Sequence, residues 1–374
     1  MITMSYSPDL SSGFNGTRLR TPNHASCSGM CSDCVQECPA LCEIGLSAIR
    51  GTEAAYPANP NGSQFASEKK YPIDFSDFNI NGRVFGARGL PEDADIAHPL
   101  SVDLSCSFGI AHPVAQKMPL ILPAVAKLNW QDYYAGAAIA GVTAVIGEAV
   151  VNKDSGAEFS NGRLTYSPLI KDMISRFRVY DRGYGDIVLQ ANYDDVSFGV
   201  LEYAIEKLGV KSVELKLGQA AKGIQAVSKT MSYEEATAIK AKGRMVYPDP
   251  ASPEIQKMLS SGFKPVFRAM GRLPMYREES LTCYIQDLRS LGAKRVMLKV
   301  GGYDRKELEL VLRIASAASV DLVTFDGAGG GTGNSPCRMM NEWGLPTMFL
   351  ESIVWDILDK MRREGKSLPG TAIT

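Results

Sequence analysis

From about Pro119 the chain alternates short apolar runs with stretches of helical spacing. The runs are PLILPAV (119–125), TAVIGEAV (143–150), DIVLQANY (186–193), SVELKLG (212–218), RVMLKVGG (295–302) and LVTFDG (322–327). Each has the length and apolar density of a strand covered on both faces. Helical spacing follows in Tyr133 to Ala140, Phe198 to Leu208, Tyr233 to Lys242, Arg305 to Ala318 and Met348 to Glu364. Strands alternating with helices imply a parallel sheet with right-handed crossovers, here six βα units. Polar residues at several strand ends favour an α/β fold of the (β/α)8 TIM type, which gathers its working groups there. After the sixth helix comes LPGTAIT (368–374), where a seventh strand should begin. The barrel is therefore expected to be truncated by about a quarter, with unpaired edges that favour a second chain completing it.

Alternation within the strands sharpens the picture. In SVELKLG, Glu214 and Lys216 share one face while Val213, Leu215 and Leu217 share the other, and Lys299 faces away from Leu298 and Val300. A lysine in a barrel interior needs an anionic partner or a lowered pKa, and for Lys299 the expected partner is a lumen carboxylate such as Glu214 or Glu148. The last apolar run, ending in Asp326, enters a glycine cluster with Gly327, Gly329, Gly330, Gly331 and Gly333 around Thr332. Such a segment exposes backbone N–H groups to an anion or cofactor. It is neither a dinucleotide fingerprint, since Thr332 stands where the third glycine would be, nor a Walker loop, since no lysine follows.

The chain has 374 residues, a net charge of −1 and 45% apolar residues, so it can bury a full core and carries no electrostatic footprint for nucleic acid. No secretion signal or long apolar span is apparent, and a cytoplasmic location without membrane association is expected. Five of the eight cysteines crowd into C-x3-C-x2-C-x3-C-P-x2-C: Cys27, Cys31, Cys34, Cys38 and Cys42. Their number is odd and their spacing compact, with Pro39 directly after Cys38. This favours an iron–sulfur cluster, with 4Fe-4S nuclearity expected, over disulfides or over a structural zinc site with its two separated ligand pairs. The first three also fit the C-x3-C-x2-C pattern of radical S-adenosylmethionine enzymes, but Asp33 stands where that pattern wants an aromatic residue. Residues 50–95 are rich in Pro, Gly and Asn, with aromatics that would pin an irregular wrap against the barrel. Two parts are expected: a cysteine-rich extension with its wrap (1–98) and the barrel (99–374).

Four motifs in order, Gly147-Glu148, ELKLGQAAKG (214–223), LKVGG (298–302) and FDGAGGGTGNSP (325–336), give the chain a resemblance to the FMN-binding synthase domain of glutamate synthases. It is most similar to the stand-alone form of that family with an N-terminal cysteine cluster. The resemblance implies FMN at the C-terminal mouth of the barrel. It places Lys299 near the flavin N1 and C2 carbonyl, with Gln190, Lys216, Asp326, Gly327, Gly330, Gly331, Thr332 and Gly333 also touching the cofactor. Glu148, Lys216, Gln219 and Lys222 would act on the substrate. The implied reaction is reductive amination of 2-oxoglutarate with ammonia to glutamate, by hydride from reduced FMN. Electrons would come from ferredoxin or another donor protein through the cysteine cluster. Here that cluster precedes the barrel, whereas in the family it follows. The segment after the fourth strand reads GRMVYPDPASPEI (243–255), which leaves Arg244 and Ser252 as candidate oxo-acid ligands.

Two other functions compete. Oxidation of a 2-hydroxy acid would need a histidine base, yet His24, His98 and His112 all precede the first barrel strand; His112, beside Pro113, reads as a turn residue. A non-catalytic electron-transfer or assembly subunit would keep the cluster and bind no flavin. Cys106, Cys283 and Cys337 read as small core residues.

Overall fold

The computed structural model describes residues 77–79, 103–125, 129–218, 231–270, 276–327 and 344–373. Beyond the short 77–79 stretch, the described chain opens with a hairpin, β1 (Cys106–Phe108) and β2 (Val114–Gln116), followed by β3 (Ile121–Val125), α1 (Trp130–Ala140) and β4 (Thr143–Ile146). A second hairpin, β5 (Glu158–Ser160) and β6 (Arg163–Tyr166), leads into α2 (Pro168–Tyr180) and β7 (Ile187–Ala191). Then come α3 (Tyr193–Ser197), α4 (Val200–Leu208), β8 (Ser212–Lys216), α5 (Tyr233–Ala241), β9 (Met245–Tyr247), α6 (Pro253–Ser260) and β10 (Arg268–Met270). The last elements are α7 (Glu278–Leu291), β11 (Arg295–Gly301), α8 (Arg305–Ala317), β12 (Leu322–Asp326), α9 (Thr347–Arg363) and β13 (Gly370–Ile373).

Seven of these strands form one parallel sheet in the order β3-β4-β7-β8-β11-β12-β13. Spatial order repeats chain order without the reversal that defines a doubly wound sheet. The result is a curled half-barrel of the TIM type. Ala144, Ile146, Leu189, Leu215, Leu298, Val323 and Phe325 face outward into the main core with Ile174, Leu201, Ile285, Leu312 and Ile357 of the helices. Val145, Val188, Met297 and Leu322 face inward, where Phe108 and Val114 of the first hairpin cover them as a smaller core.

The hairpin is fastened to the N-terminal end of the sheet. Asp321, 1% exposed, accepts from Ile110 N at 3.0 Å, from Val296 N at 2.9 Å and from the Arg289 guanidinium at 3.0 Å. Arg295 donates to the His112 carbonyl at 3.0 Å and pairs with Asp186 at 2.8 Å. His112 thus lies in the turn expected of it. Gly185, with φ of 72°, approaches Val142 so closely that a Cβ would lie 2.3 Å from its carbonyl oxygen.

The structure changes several expectations. The sheet has seven strands, because Gly370–Ile373 pairs with β12 in the register Leu322↔Gly370. Among the described residues β3 and β13 are its two edges. The helix that leads from β8 to β11 is α7, whose Leu281, Ile285 and Leu288 enter the main core. The expected one, Tyr233–Ala241, belongs to a small lobe between β8 and α7. That lobe has its own core of Met231, Ala236, Val246, Ile255 and Phe267 and its own pair of antiparallel strands, β9 and β10. A helix, α2, also fills the connection after β4. Of the aromatic wrap only Phe78 is described, and it is exposed; the rest lies outside the described residues. Cys283 is likewise exposed, not a core residue. Cys106 is partly buried and Cys337 lies outside the described residues.

Candidate functional site

Strand pairing stacks the inward side chains in rungs. Gln190, Glu214, Met297 and Leu322 share one rung, and Lys216, Lys299 and Thr324 the next, nearer the C-terminal ends. This places Gln190, Glu214, Lys299 and Thr324 together and buried. Glu214, 2% exposed, accepts from Gln190 Nε2 at 2.5 Å and from the Thr324 hydroxyl at 3.2 Å. Burial pushes its pKa up, opposed by the nearby Lys299, by these two hydrogen bonds and by Lys216. A carboxylate this deep is tolerable because donors and cations surround it.

Lys299, 9% exposed, has its closest carboxylate in Asp326, at 3.6 Å, where β12 ends. Lys216 is bound by Glu148, from the loop after β4. The two lysines predicted to point inward do so, but the pairing differs from expectation. Glu148 serves Lys216, and Lys299 stands between Asp326 and Glu214. The Glu148 loop is itself anchored. Asp195 on α3, 2% exposed, accepts from Ala149 N at 2.8 Å and from Asn192 N at 3.2 Å, while Asn192 accepts from Asp195 N at 3.0 Å. Burial drives the Asp195 pKa up to about 7, with Glu148 and Asp194 adding repulsion and the two backbone hydrogen bonds opposing.

Gly327 follows Asp326 and is buried against the start of α9, where a Cβ would lie 2.2 Å from Thr347 Oγ1 and 2.7 Å from its Cα. The close approach expected of this glycine is therefore made by the chain's own helix. Gly327→Ala is expected to destabilise the fold by about 1–3 kcal/mol through overpacking, read as a lower midpoint in thermal unfolding. An unchanged midpoint would mean that α9 shifts freely.

The buried polar group opens on a cavity of about 480 Å³. Residues of β3 and β13, the sheet edges, line it together with Phe108, Val145 and Leu322. The Gln190 Oε1 atom is buried without a hydrogen-bond partner in this lining. A cation, an orphaned acceptor and a hydroxyl on apolar walls form a donor–acceptor set that fits the heteroatom edge of a flavin.

Of the residues read from the sequence as site candidates, Glu148, Gln190, Lys216, Lys299 and Asp326 lie toward the C-terminal ends of these strands, while Gly327 packs against α9. Gln219, Lys222, Gly330, Gly331, Thr332 and Gly333 fall outside the described residues, as do Cys27, Cys31, Cys34, Cys38 and Cys42. Among the described residues no group of three metal-ligating side chains occurs, and no helix is long and apolar enough to cross a membrane. Ser252 caps α6 by accepting from Ile255 N at 3.3 Å, and Arg244 sits in the same inserted lobe. Thr324 and Asp195 were not read from the sequence. Thr324 could have been found by the alternation that found Lys299, since the two are register partners on adjacent strands.

None of the curated proteins matches the chain. Residues 269–362, from β10 through α9, match the family described as the conserved region in glutamate synthase. That span contains Lys299, Thr324 and Asp326 of the site just described. The match covers 94 of the 374 residues, and over that span the chain is similar to the conserved region of glutamate synthases.

Proposed function

We propose that the protein is a flavin-dependent oxidoreductase of the glutamate synthase type, which reductively aminates a 2-oxo acid with ammonia, 2-oxoglutarate giving glutamate. The observation that carries this reading is the buried Lys299, set between Asp326 and Glu214 in the region shared with glutamate synthases. Bound FMN would supply the hydride, reduced beforehand by two electrons from a donor protein such as a ferredoxin, passed through an iron–sulfur cluster on Cys27 to Cys42. Lys299 would hold the electron-rich pyrimidine edge of the flavin, with Gln190 and Thr324 offering an acceptor and a hydroxyl beside it. Lys216, Gln219 and Lys222 would bind the carboxylates of the oxo acid. Glu148, aimed by Lys216, would act on the proton at the substrate nitrogen. Gly330, Gly331, Thr332 and Gly333 would present backbone amides to the cofactor. A second chain bearing a strand would pair with the edges at β3 and β13.

The test is an anaerobic preparation of the whole chain, analysed for iron, sulfide and acid-released flavin. Its visible spectrum is recorded after reduction and again after adding 2-oxoglutarate with ammonium. Flavin with iron and sulfide, and reoxidation only when both substrates are present, is the expected result. A protein that takes up no flavin, or a reduced flavin indifferent to the pair, overturns the proposal. Lys299→Met should lower turnover by about 10²-fold or more, the usual cost of losing one preorganised electrostatic group. Turnover within a few-fold of the parent would remove Lys299 from the reaction.

A further inference from the structure

We infer that Asp195 is a positioning residue for the Glu148–Lys216 pair, tying the loop after β4 to the start of the helix after β7 so that Glu148 is presented to Lys216 in one fixed orientation. Its importance for catalysis rests on the function proposed above; the geometry stands without it. Ala149 has φ of 59°, left-handed backbone that a residue with a Cβ adopts only at a cost. The adjoining residue, Glu148, is the one that binds Lys216. What holds Ala149 there is the Asp195 carboxylate, accepting its N–H at 2.8 Å in a buried setting where no water competes. The same oxygen accepts from Asn192 N, so a single atom joins two loops that lie at neighbouring strand ends. The charges facing Asp195 are Glu148 from the β4 loop and Asp194 from its own helix, and Lys216 of β8 offsets the first of these. A carboxylate accepts about twice as strongly as a neutral carboxyl, so protonation near pH 7 loosens this tie.

The test uses the apo full chain, without flavin or substrate, and so succeeds or fails independently of the proposed reaction. Acylation of Lys216 by an activated ester is quantified by mass spectrometry and divided by that of Lys171, an exposed lysine on α2. Both amines meet the same reagent in the same sample, so the ratio reports the protection of Lys216. In the parent the ratio should be low at pH 8 and rise several-fold as the pH falls to 6. Asp195→Ala should hold it at the high level throughout. Asp195→Asn, which keeps an oxygen for Ala149 N but has no charge to lose, should give a flat intermediate profile. Glu148→Gln should match the alanine variant. Parent and Asp195→Ala ratios that coincide at pH 8 overturn the inference. A rise shared by the other buried lysine, Lys299, also overturns it, because general loosening would then be the cause.

Discussion

Asp321→Ala is expected to lower the free energy of unfolding by about 3–5 kcal/mol, the range for breaking a buried, charge-assisted network from one side. The carboxylate is almost fully buried and serves three donors at once: Ile110 N of the hairpin, Val296 N of β11 and the Arg289 guanidinium of α7. Alanine leaves two backbone N–H groups without an acceptor and Arg289 without its carboxylate, and each orphaned group keeps its desolvation penalty. Asp321→Asn retains one acceptor but turns an amide N–H₂ toward donors, so it should fall between the two. Urea unfolding at neutral pH measures both. A loss below about 1 kcal/mol for the alanine variant would show that the hairpin docks without help from Asp321.

The second large effect is a dependence of stability on pH that comes from Asp195. Its native pKa is raised from 3.8 to about 7, mainly by burial. A group raised on folding contributes stability that is complete below its unfolded pKa and is lost as the pH rises through the folded one. Asp195 should therefore cost the protein on the order of 4 kcal/mol between pH 4 and pH 8. Asp195→Asn, which cannot ionise, should show that much less decline over the same window. Equilibrium unfolding at pH 4.5, 6 and 8 decides the matter, and parallel profiles for parent and variant would mean that Asp195 titrates near its ordinary value.

The parallel strands and the inward direction of Lys216 and Lys299 were legible because a two-residue period is a local signal that packing on both faces preserves. The lobe between β8 and α7 was not. Its helix α5 starts with a Ser232–Glu235 capping box as clean as that of any barrel helix, and only its surroundings reveal that it packs on Phe267 and Val246 instead of the sheet. The place for a seventh strand was legible at 368–374, but not that Gly370–Ile373 forms it, because four residues carry no pattern without their neighbour β12. The partner of each lysine depended on which loop reached which strand end, and the bond from Ala149 to Asp195 spans 46 residues. Hydrophobic periodicity has no term for such a contact.

The lobe has a further consequence, for the order of assembly. Sheet neighbours are also neighbours in the chain, so most strand pairs form after closing short crossovers, but β8 and β11 must find each other across the longest intervening segment. Loop closure costs more entropy as the segment lengthens, and non-local pairings form late. Gln190, Glu214 and Lys216 lie on one side of that join, and Lys299, Thr324 and Asp326 on the other. A nascent or partly folded chain therefore holds two inert halves, and the buried polar group comes into being only with the final and least local pairing.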